Sequence, residues 1–254
     1  MREVYTYWFM GRLYIVLLAV ALLFGCAVRG GVHPYRQLPY VPQTTGYDVS
    51  WPNCTVSPPR DDAWGVVGVT GGLVFHANPC LGRQAGWFRT TSLYVNTGYA
   101  GIEKARPYAQ VSRHCGADDE SCLAYNYGYA AGLYAVRVAF DNRLYAPVWW
   151  LDVETENSWS DNPAYNRQSL RGTADAIRHQ TVGATIGYYS YPGQWDLITG
   201  SWRPGGPAWV ATGSAERQTA LDACKQPGFT GGPVWLTQYV MALDRDYACL
   251  RPAQ

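Results

Sequence analysis

From Gly46 onward, short apolar runs alternate with helix-compatible stretches, and this alternation restricts the fold more than any other feature. The runs are Gly46–Ser50, Trp64–Thr70, Thr91–Thr97, Pro147–Glu154, Ala184–Ser190, Ala208–Thr212, Val234–Tyr239 and Asp244–Tyr247. Helical candidates lie at Asn78–Arg89, Tyr125–Asp141, Pro163–Gln180 and Ser214–Ala223. In Tyr125–Asp141 alanines and aromatics recur at helical spacing, and Pro163 suits a first helical turn. Strands alternating with helices predict βαβ units and a parallel sheet. Eight runs in a chain of 254 residues predict an α/β fold, a single (β/α)8 TIM-type barrel with room for irregularity. A doubly wound sheet is the alternative. It is disfavoured because Gly65–Gly72, though glycine-rich, has neither the dinucleotide fingerprint nor a P-loop lysine.

The chain before the first run reads differently. Arg2 and Arg12 precede an unbroken apolar stretch, Leu13–Phe24, which is short for a membrane span of about 20 residues but fits a signal-peptide core. Leu23-Phe24-Gly25-Cys26 resembles a bacterial lipobox, in which Cys26 takes the lipid. An uncleaved signal anchor and ordinary cleavage nearby are the rivals, and all three export the domain. Val28–Thr45 is rich in Gly, Pro and polar residues without periodicity and reads as a tether. The expected organisation is a signal peptide over 1–25, a flexible tether over 26–45 and a barrel over 46–254. Export also fits the cysteines. Setting Cys26 aside leaves six, Cys54, Cys80, Cys115, Cys122, Cys224 and Cys249, an even number as in disulfide-bonded exported domains. Six cysteines allow fifteen pairings, among which sequence does not choose. The pairing expected is Cys54–Cys80, Cys115–Cys122 and Cys224–Cys249. A metal site is not expected: there is no C-x-x-C pair, and His33, His76, His114 and His179 show no ligand spacing.

Composition narrows the partner. The net charge is +1, with 20 basic and 19 acidic residues, which argues against nucleic acid. Without Arg2, Glu3 and Arg12 the remainder is formally neutral. Eleven Trp, 20 Tyr and 6 Phe make 15% of the chain aromatic, while charged residues are also only 15%. A Trp-rich core explains this in part. The remainder suits a neutral, hydroxyl-rich partner met by stacking and hydrogen bonds, with little long-range steering.

The sharpest motif is Trp149-Trp150-Leu151-Asp152-Val153-Glu154. Alternation on a strand places Trp150, Asp152 and Glu154 on one face, with Leu151 and Val153 towards the helices. Acids at the C-terminal end of a barrel strand sit at the mouth, where active sites lie. Two such carboxylates are roughly 6–7 Å apart, two strand rises. Repulsion and burial should raise one pKa, giving the protonated and ionised pair that glycoside cleavage needs. Two solvated acids at a strand end would be the plain alternative, but the acids emerge from an apolar strand. In Gly46-Tyr47-Asp48-Val49-Ser50, Asp48 would reach the same mouth, unless it merely caps the next element. Tyr94, Asn96, Trp150, Tyr189, Trp209 and Gln238 at or near strand ends form a polar-aromatic set able to stack on sugars and bond their hydroxyls. Each is also compatible with core packing. Trp149 and Trp235 are expected on the helix-facing side. No G-x-S-x-G or H-E-x-x-H is present, and the six cysteines fit disulfides rather than a nucleophile.

Gly-Tyr-Asp48-Val-Ser and Leu-Asp152-Val-Glu154 resemble the first and fourth strands of glycoside hydrolase family 25, the Chalaropsis-type lysozymes. Gly187-Tyr-Tyr189-Ser and Ala208-Trp209-Val-Ala resemble the fifth and sixth, and Trp235-Leu-Thr-Gln238-Tyr echoes a W-Q-Y motif with two residues inserted. The chain is also similar, across residues 46–249, to exported actinobacterial proteins with a glycoside-hydrolase-like barrel. They carry segments like Ser92-Leu-Tyr-Val-Asn-Thr97 and Trp150-Leu-Asp-Val-Glu-Thr-Glu-Asn-Ser-Trp159. The resemblance to the lysozymes implies Glu154 as proton donor and Asp48 as part of the acidic mouth. It implies Asp152 as the group that stabilises positive charge on the sugar or orients an N-acetyl group. The implied substrate is the N-acetylmuramic acid–N-acetylglucosamine bond of peptidoglycan. Two departures stand out. The lysozymes have an acid after strand two where this chain has Val69-Thr70-Gly71-Gly72, and a Tyr-His-Phe-like motif where it has Tyr94-Val-Asn96.

Two function classes follow: a glycoside hydrolase of the cell envelope, or a non-catalytic glycan-binding surface lipoprotein on the same barrel. A structural envelope protein is a third, which no feature selects. In each reading no cofactor is required. The expected partners are an envelope glycan and the membrane, through lipid or signal anchor, with the domain itself monomeric.

Overall fold

In the computed structural model the apolar runs hydrogen-bond side by side and close on themselves. Residues 40–59 and 64–249 are described; the signal segment, most of the tether and Cys26 lie outside them. The strands are β1 (Thr45–Val49), β2 (Trp64–Gly68), β3 (Thr90–Asn96), β4 (Val148–Asp152), β5 (Thr185–Ser190), β6 (Ala208–Ala211), β7 (Val234–Tyr239) and β8 (Arg245–Ala248). They form a closed barrel in chain order. Six helices connect them: α1 (Leu81–Ala85), α2 (Ile102–Ala105), α3 (Glu120–Asp141), α4 (Pro163–Gln180), α5 (Pro192–Thr199) and α6 (Arg217–Ala223). The fold is an α/β barrel, as the alternation predicts. Short α2 and α5 were not anticipated. α5 starts on Pro192 and stops at Gly200, whose φ of 63° is the left-handed conformation that ends helices.

The last strand breaks the (β/α)8 rule. β1 to β7 pair in parallel, whereas β8 is antiparallel to both β7 and β1. The cause is length. Only residues 240–244 separate β7 from β8, and a parallel crossover needs about a dozen residues or more. The chain therefore turns back as a hairpin at the mouth.

Side chains alternate between two cores. Leu93, Val95, Trp149, Leu151 and Val153 face outward and pack with Leu170, Ala174 and Ile177 of α4 and Ala135 and Ala139 of α3. These two helices approach closely because both carry glycines at the contact. A Cβ on Gly128 would lie 1.9 Å from the Ser169 carbonyl oxygen, and one on Gly172 would lie 2.0 Å from that of Tyr125. Inward, Trp64, Val66, Val148, Trp150, Tyr189, Trp209, Leu236 and Ala248 fill the barrel with Tyr40. Trp235 is a correction to the sequence reading: it packs against this inner cluster, its ring 6.4 Å from that of Trp150. The β6–β7 register shifts there, Ala208 pairing with Val234 but Trp209 with Leu236, so Trp235 sits in a bulge and escapes the alternation. Tyr40 and Thr44, expected in the tether, belong to the barrel. The Trp150 indole donates to the Tyr40 hydroxyl at 2.7 Å, which donates to Ser92 at 2.8 Å, and Trp64 donates to Thr44 at 2.9 Å.

Three disulfides fasten the outer connections: Cys54–Cys80, Cys115–Cys122 and Cys224–Cys249, with Cα separations of 5.7, 5.5 and 5.5 Å. The first joins the β1–β2 connection to the start of α1, and the last joins the end of α6 to the end of β8. Disulfides are characteristic of exported proteins. No helix among the described residues is long and apolar enough to cross a membrane.

The indoles fit because glycines face them. A Cβ on Gly187 would lie 2.3 Å from the Trp150 ring, and one on Gly46 would lie 2.4 Å from Trp64. Gly187→Ala is expected to lower stability by about 1–3 kcal/mol through overpacking. Gly193→Ala, whose Cβ meets nothing within 4 Å, should leave it unchanged or raise it slightly. Thermal melts of the two variants check the contrast.

Candidate active site

The parallel strands all deliver their C-terminal ends to one mouth, and the β7–β8 hairpin adds the beginning of β8 to it. A cavity of about 350 Å³ opens there. Its lining includes Asp48, Tyr94, Asp152, Glu154, Tyr189, Trp209 and Gln238, seven of the residues singled out from sequence. Ser50, Pro52, Asn53, Tyr191, Val240, Ala242 and Asp244 complete it. Two other candidates do not line the cavity. Trp150 is fully buried below it, in the inner core. Asn96 stands behind Asp152 and acts on it.

β4 ends at Asp152, but the strand geometry continues. The Val153 N–H donates to the Tyr189 carbonyl at 2.9 Å, Val153 is buried outward, and Glu154 points back into the cavity. Asp152 is buried. Its Oδ2 accepts from Asn96 Nδ2 at 2.5 Å. Asn96 is held the right way round because its Oδ1 accepts from the Thr70 hydroxyl at 2.9 Å and the Gly72 N–H at 3.1 Å. The stretch that lacks the acid of the lysozyme pattern thus orients an amide instead. Asp152 Oδ1 is buried and has no hydrogen-bond partner; the charge of Glu154 bears on the Asp152 carboxyl and favours its protonated form.

A second carboxyl pair was missed from sequence. Asp246 on β8 is fully buried, accepts the Trp209 indole N–H at 2.7 Å on Oδ1, has no hydrogen-bond partner for Oδ2 and feels the charge of Asp48. The i, i+2 spacing of Asp244 and Asp246 repeats that of Asp152 and Glu154, and was the available signal. A parallel eighth strand would have put Asp244 at the far end. A relay leads to Asp48: Tyr189 donates from its hydroxyl to Gln238 Oε1 at 2.8 Å, and Gln238 Nε2 donates to Asp48 Oδ2 at 3.0 Å.

All of these acids are pushed towards their neutral forms. Burial is the first cause throughout. It raises Asp48 to about 7, helped by the charge of Asp244, and Glu154 to about 7, helped by Glu156. Asp152 and Asp246 lie well above the ordinary carboxylate range, each raised further by its partner's charge. Asp244, half-exposed, is raised by burial as well. The aromatic walls that exclude water are Tyr189, whose ring lies 4.3 Å from that of Trp209, and Tyr94, 6.2 Å from Trp209. Among the described residues no group of three or more His, Cys, Asp or Glu has the arrangement of a metal site.

The fold and site define an α/β barrel protein with two neighbouring carboxyl pairs in an aromatic mouth. Among solved structures it is similar to a muramidase from Trichobolus zukalii, with a TM-score of 0.49 and 12% identity, over 82% of this chain and 94% of that one. No family model and no curated protein matches the chain.

These pKa values fix the sign of a pH effect on stability. Asp48 binds its proton more tightly folded than unfolded, where its pKa is near the ordinary 3.8. Its contribution is therefore present in full below that value and is lost as pH rises through about 7. Melting temperature should fall across this window. Asp48→Asn should flatten the fall and raise the melting temperature at pH values above it. A steeper fall in the variant would refute the assignment.

Proposed function

We propose that this domain cleaves glycosidic bonds of a cell-envelope glycan, with Glu154 as the proton donor. What supports the reading is the Asp152–Glu154 pair at an open, aromatic, polar cavity. Burial by itself holds a proton more tightly on Asp152 than on Glu154. The Asn96 amide N–H is aimed at Asp152 and favours its anion, so that a bound sugar, whose developing positive charge also favours that anion, draws the proton to Glu154. A sugar placed over Trp209 and Tyr189 would present its glycosidic oxygen to Glu154. Proton transfer to that oxygen accompanies breakage of the C1–O bond, and the leaving sugar departs as an alcohol. The positive charge developing at C1 is stabilised by the Asp152 carboxylate, water supplies the new hydroxyl, and the proton that water loses passes to Glu154, which restores the acid. Burial serves this chemistry twice, by keeping a carboxylic acid protonated near neutral pH and by strengthening the field of its ionised partner.

A donor must carry its proton, so turnover should decline as pH rises through about 7, the value to which burial lifts Glu154. Glu154→Gln should reduce release of reducing ends from purified envelope glycans by a factor of about 10² to 10⁴. A wild-type rate in that variant would sink the assignment. Saturable glycan binding with no turnover in either protein would instead support the glycan-binding lipoprotein, for which Trp209→Ala should weaken binding.

We further propose that the domain acts outside the membrane, as a monomer on a tether anchored by a lipid on Cys26. The lipobox-like Leu23–Cys26 and the three disulfides support this. Cys26→Ser should move the protein out of the lipid-modified membrane fraction, as read by fractionation and intact mass. An unchanged distribution would argue for a signal anchor.

A further inference from the structure

Resting on the reading that the cavity holds a glycan, we propose that the preferred ligand is a cationic amino sugar: a glycan with free, protonated amines in place of N-acetyl groups or carboxylates. Three observations carry this. The cavity lining contains four acids, Asp48, Asp152, Glu154 and Asp244, and no Lys, Arg or His. The polar groups beside the acids are already turned to one another: the Tyr189 hydroxyl donates to Gln238, and Gln238 donates an N–H to Asp48. Finally, Asp152 Oδ1, buried on a residue of the cavity wall, has no hydrogen-bond partner.

A ligand that completes such a site must bring donors. A sugar hydroxyl brings one and also needs to donate and accept; an N-acetyl carbonyl brings only an acceptor. A carboxylate, such as that of a muramic acid, would add negative charge where no cation answers it. An ammonium brings three donors, no acceptor and the missing positive charge. Binding it favours the ionised acids over the protonated forms that burial maintains, so protons leave as it enters. The titratable groups that face the ligand are Asp48 from β1, Tyr94 from β3, Asp152 and Glu154 with Glu156 beyond β4, Tyr189 and Tyr191 from β5, and Asp244 and Asp246 from β8. None of them is basic.

The test is calorimetric titration of the purified full-length domain with short β-1,4-linked oligomers of equal length. The probes are oligoglucosamine, oligo-N-acetylglucosamine and an alternating glucuronate–N-acetylglucosamine oligomer. Near pH 7, Asp48 and Glu154 are close to half-ionised and the amines still carry protons. There oligoglucosamine should bind tenfold or more tighter than the neutral oligomer, the worth of about one charge-assisted hydrogen bond, and the preference should fade at lower pH as the acids become neutral. The uronate should bind weakest. The preference should shrink with salt, and the apparent enthalpy should change with the buffer's ionisation enthalpy, reporting proton release. Asp152→Asn should remove most of the preference. Asp244→Asn, at the half-exposed rim, should reduce it without touching the buried pair, which keeps the test valid if the first variant folds poorly. Equal or tighter binding of the neutral or anionic oligomer would overturn the charge preference while leaving the glycan reading intact. Failure of all three to bind would overturn both.

Discussion

The desolvation of a few carboxyl groups by indole rings is the interaction on which the site depends. A barrel of short strands has to be filled by its own side chains. Here Trp64, Trp150 and Trp209 do so, and glycines at 46 and 187 make the space. The indole N–H groups find partners in Thr44, Tyr40 and Asp246, so the filling leaves few polar atoms stranded. What it produces above itself is a dry floor. Asp48, Asp152 and Asp246 stand on that floor, and burial is the leading cause of every raised carboxyl pKa in the mouth. The same carboxyl groups on a solvated loop would be ionised and chemically ordinary.

The reversal of β8 is the second determinant. Because the connection from β7 is too short to cross over, the chain re-enters the barrel from the mouth. Asp244 then lies at the rim and Asp246 one layer below, against Asp48. A regular eighth strand would have brought its C-terminal end to the mouth instead. The irregularity thus supplies Asp246, a second buried carboxyl besides Asp152, and gives Trp209 its acceptor. It also makes Gln238, the last inward residue before the hairpin, a neighbour of both Asp48 and Tyr189. The charge of Glu154 also acts on Asp48, so the two carboxyl pairs should titrate as a set and apparent pKa values belong to the network more than to single residues.

Much of this was legible in the sequence because strand alternation is a local rule. It placed Asp48, Asp152, Glu154, Tyr94, Tyr189, Trp209 and Gln238 inside the barrel from spacing alone. Alternation says which face a side chain takes but not how deep along the barrel axis it lies. Trp150 was therefore grouped with the binding residues although it lies below the cavity, and Asn96 although it works through Asp152. Trp235 escaped because a bulge consumes one residue of the period, and the bulge is set by pairing with β6 rather than by anything in β7. Asp246 escaped because strand direction is decided by connection length, which spacing within the run does not encode.

Net charge gave the least guidance, for a physical reason. Twenty basic and 19 acidic residues leave the chain almost neutral, which suggested weak electrostatic recognition. Neutrality is a sum over the whole surface, and the mouth departs from it completely. Its acids are gathered in one concave, low-dielectric space, while arginines lie elsewhere: Arg245 over the outward ring of Tyr47, Arg113 over Tyr125, Arg217 over Tyr247. Screening weakens interactions across the solvated exterior beyond about 8 Å at physiological salt, but much less within a buried cluster. A ligand at the mouth therefore meets the local field of the acids and little of the compensating charge. The low charge content of the chain sharpens that contrast, since few cations are available to intrude on the site.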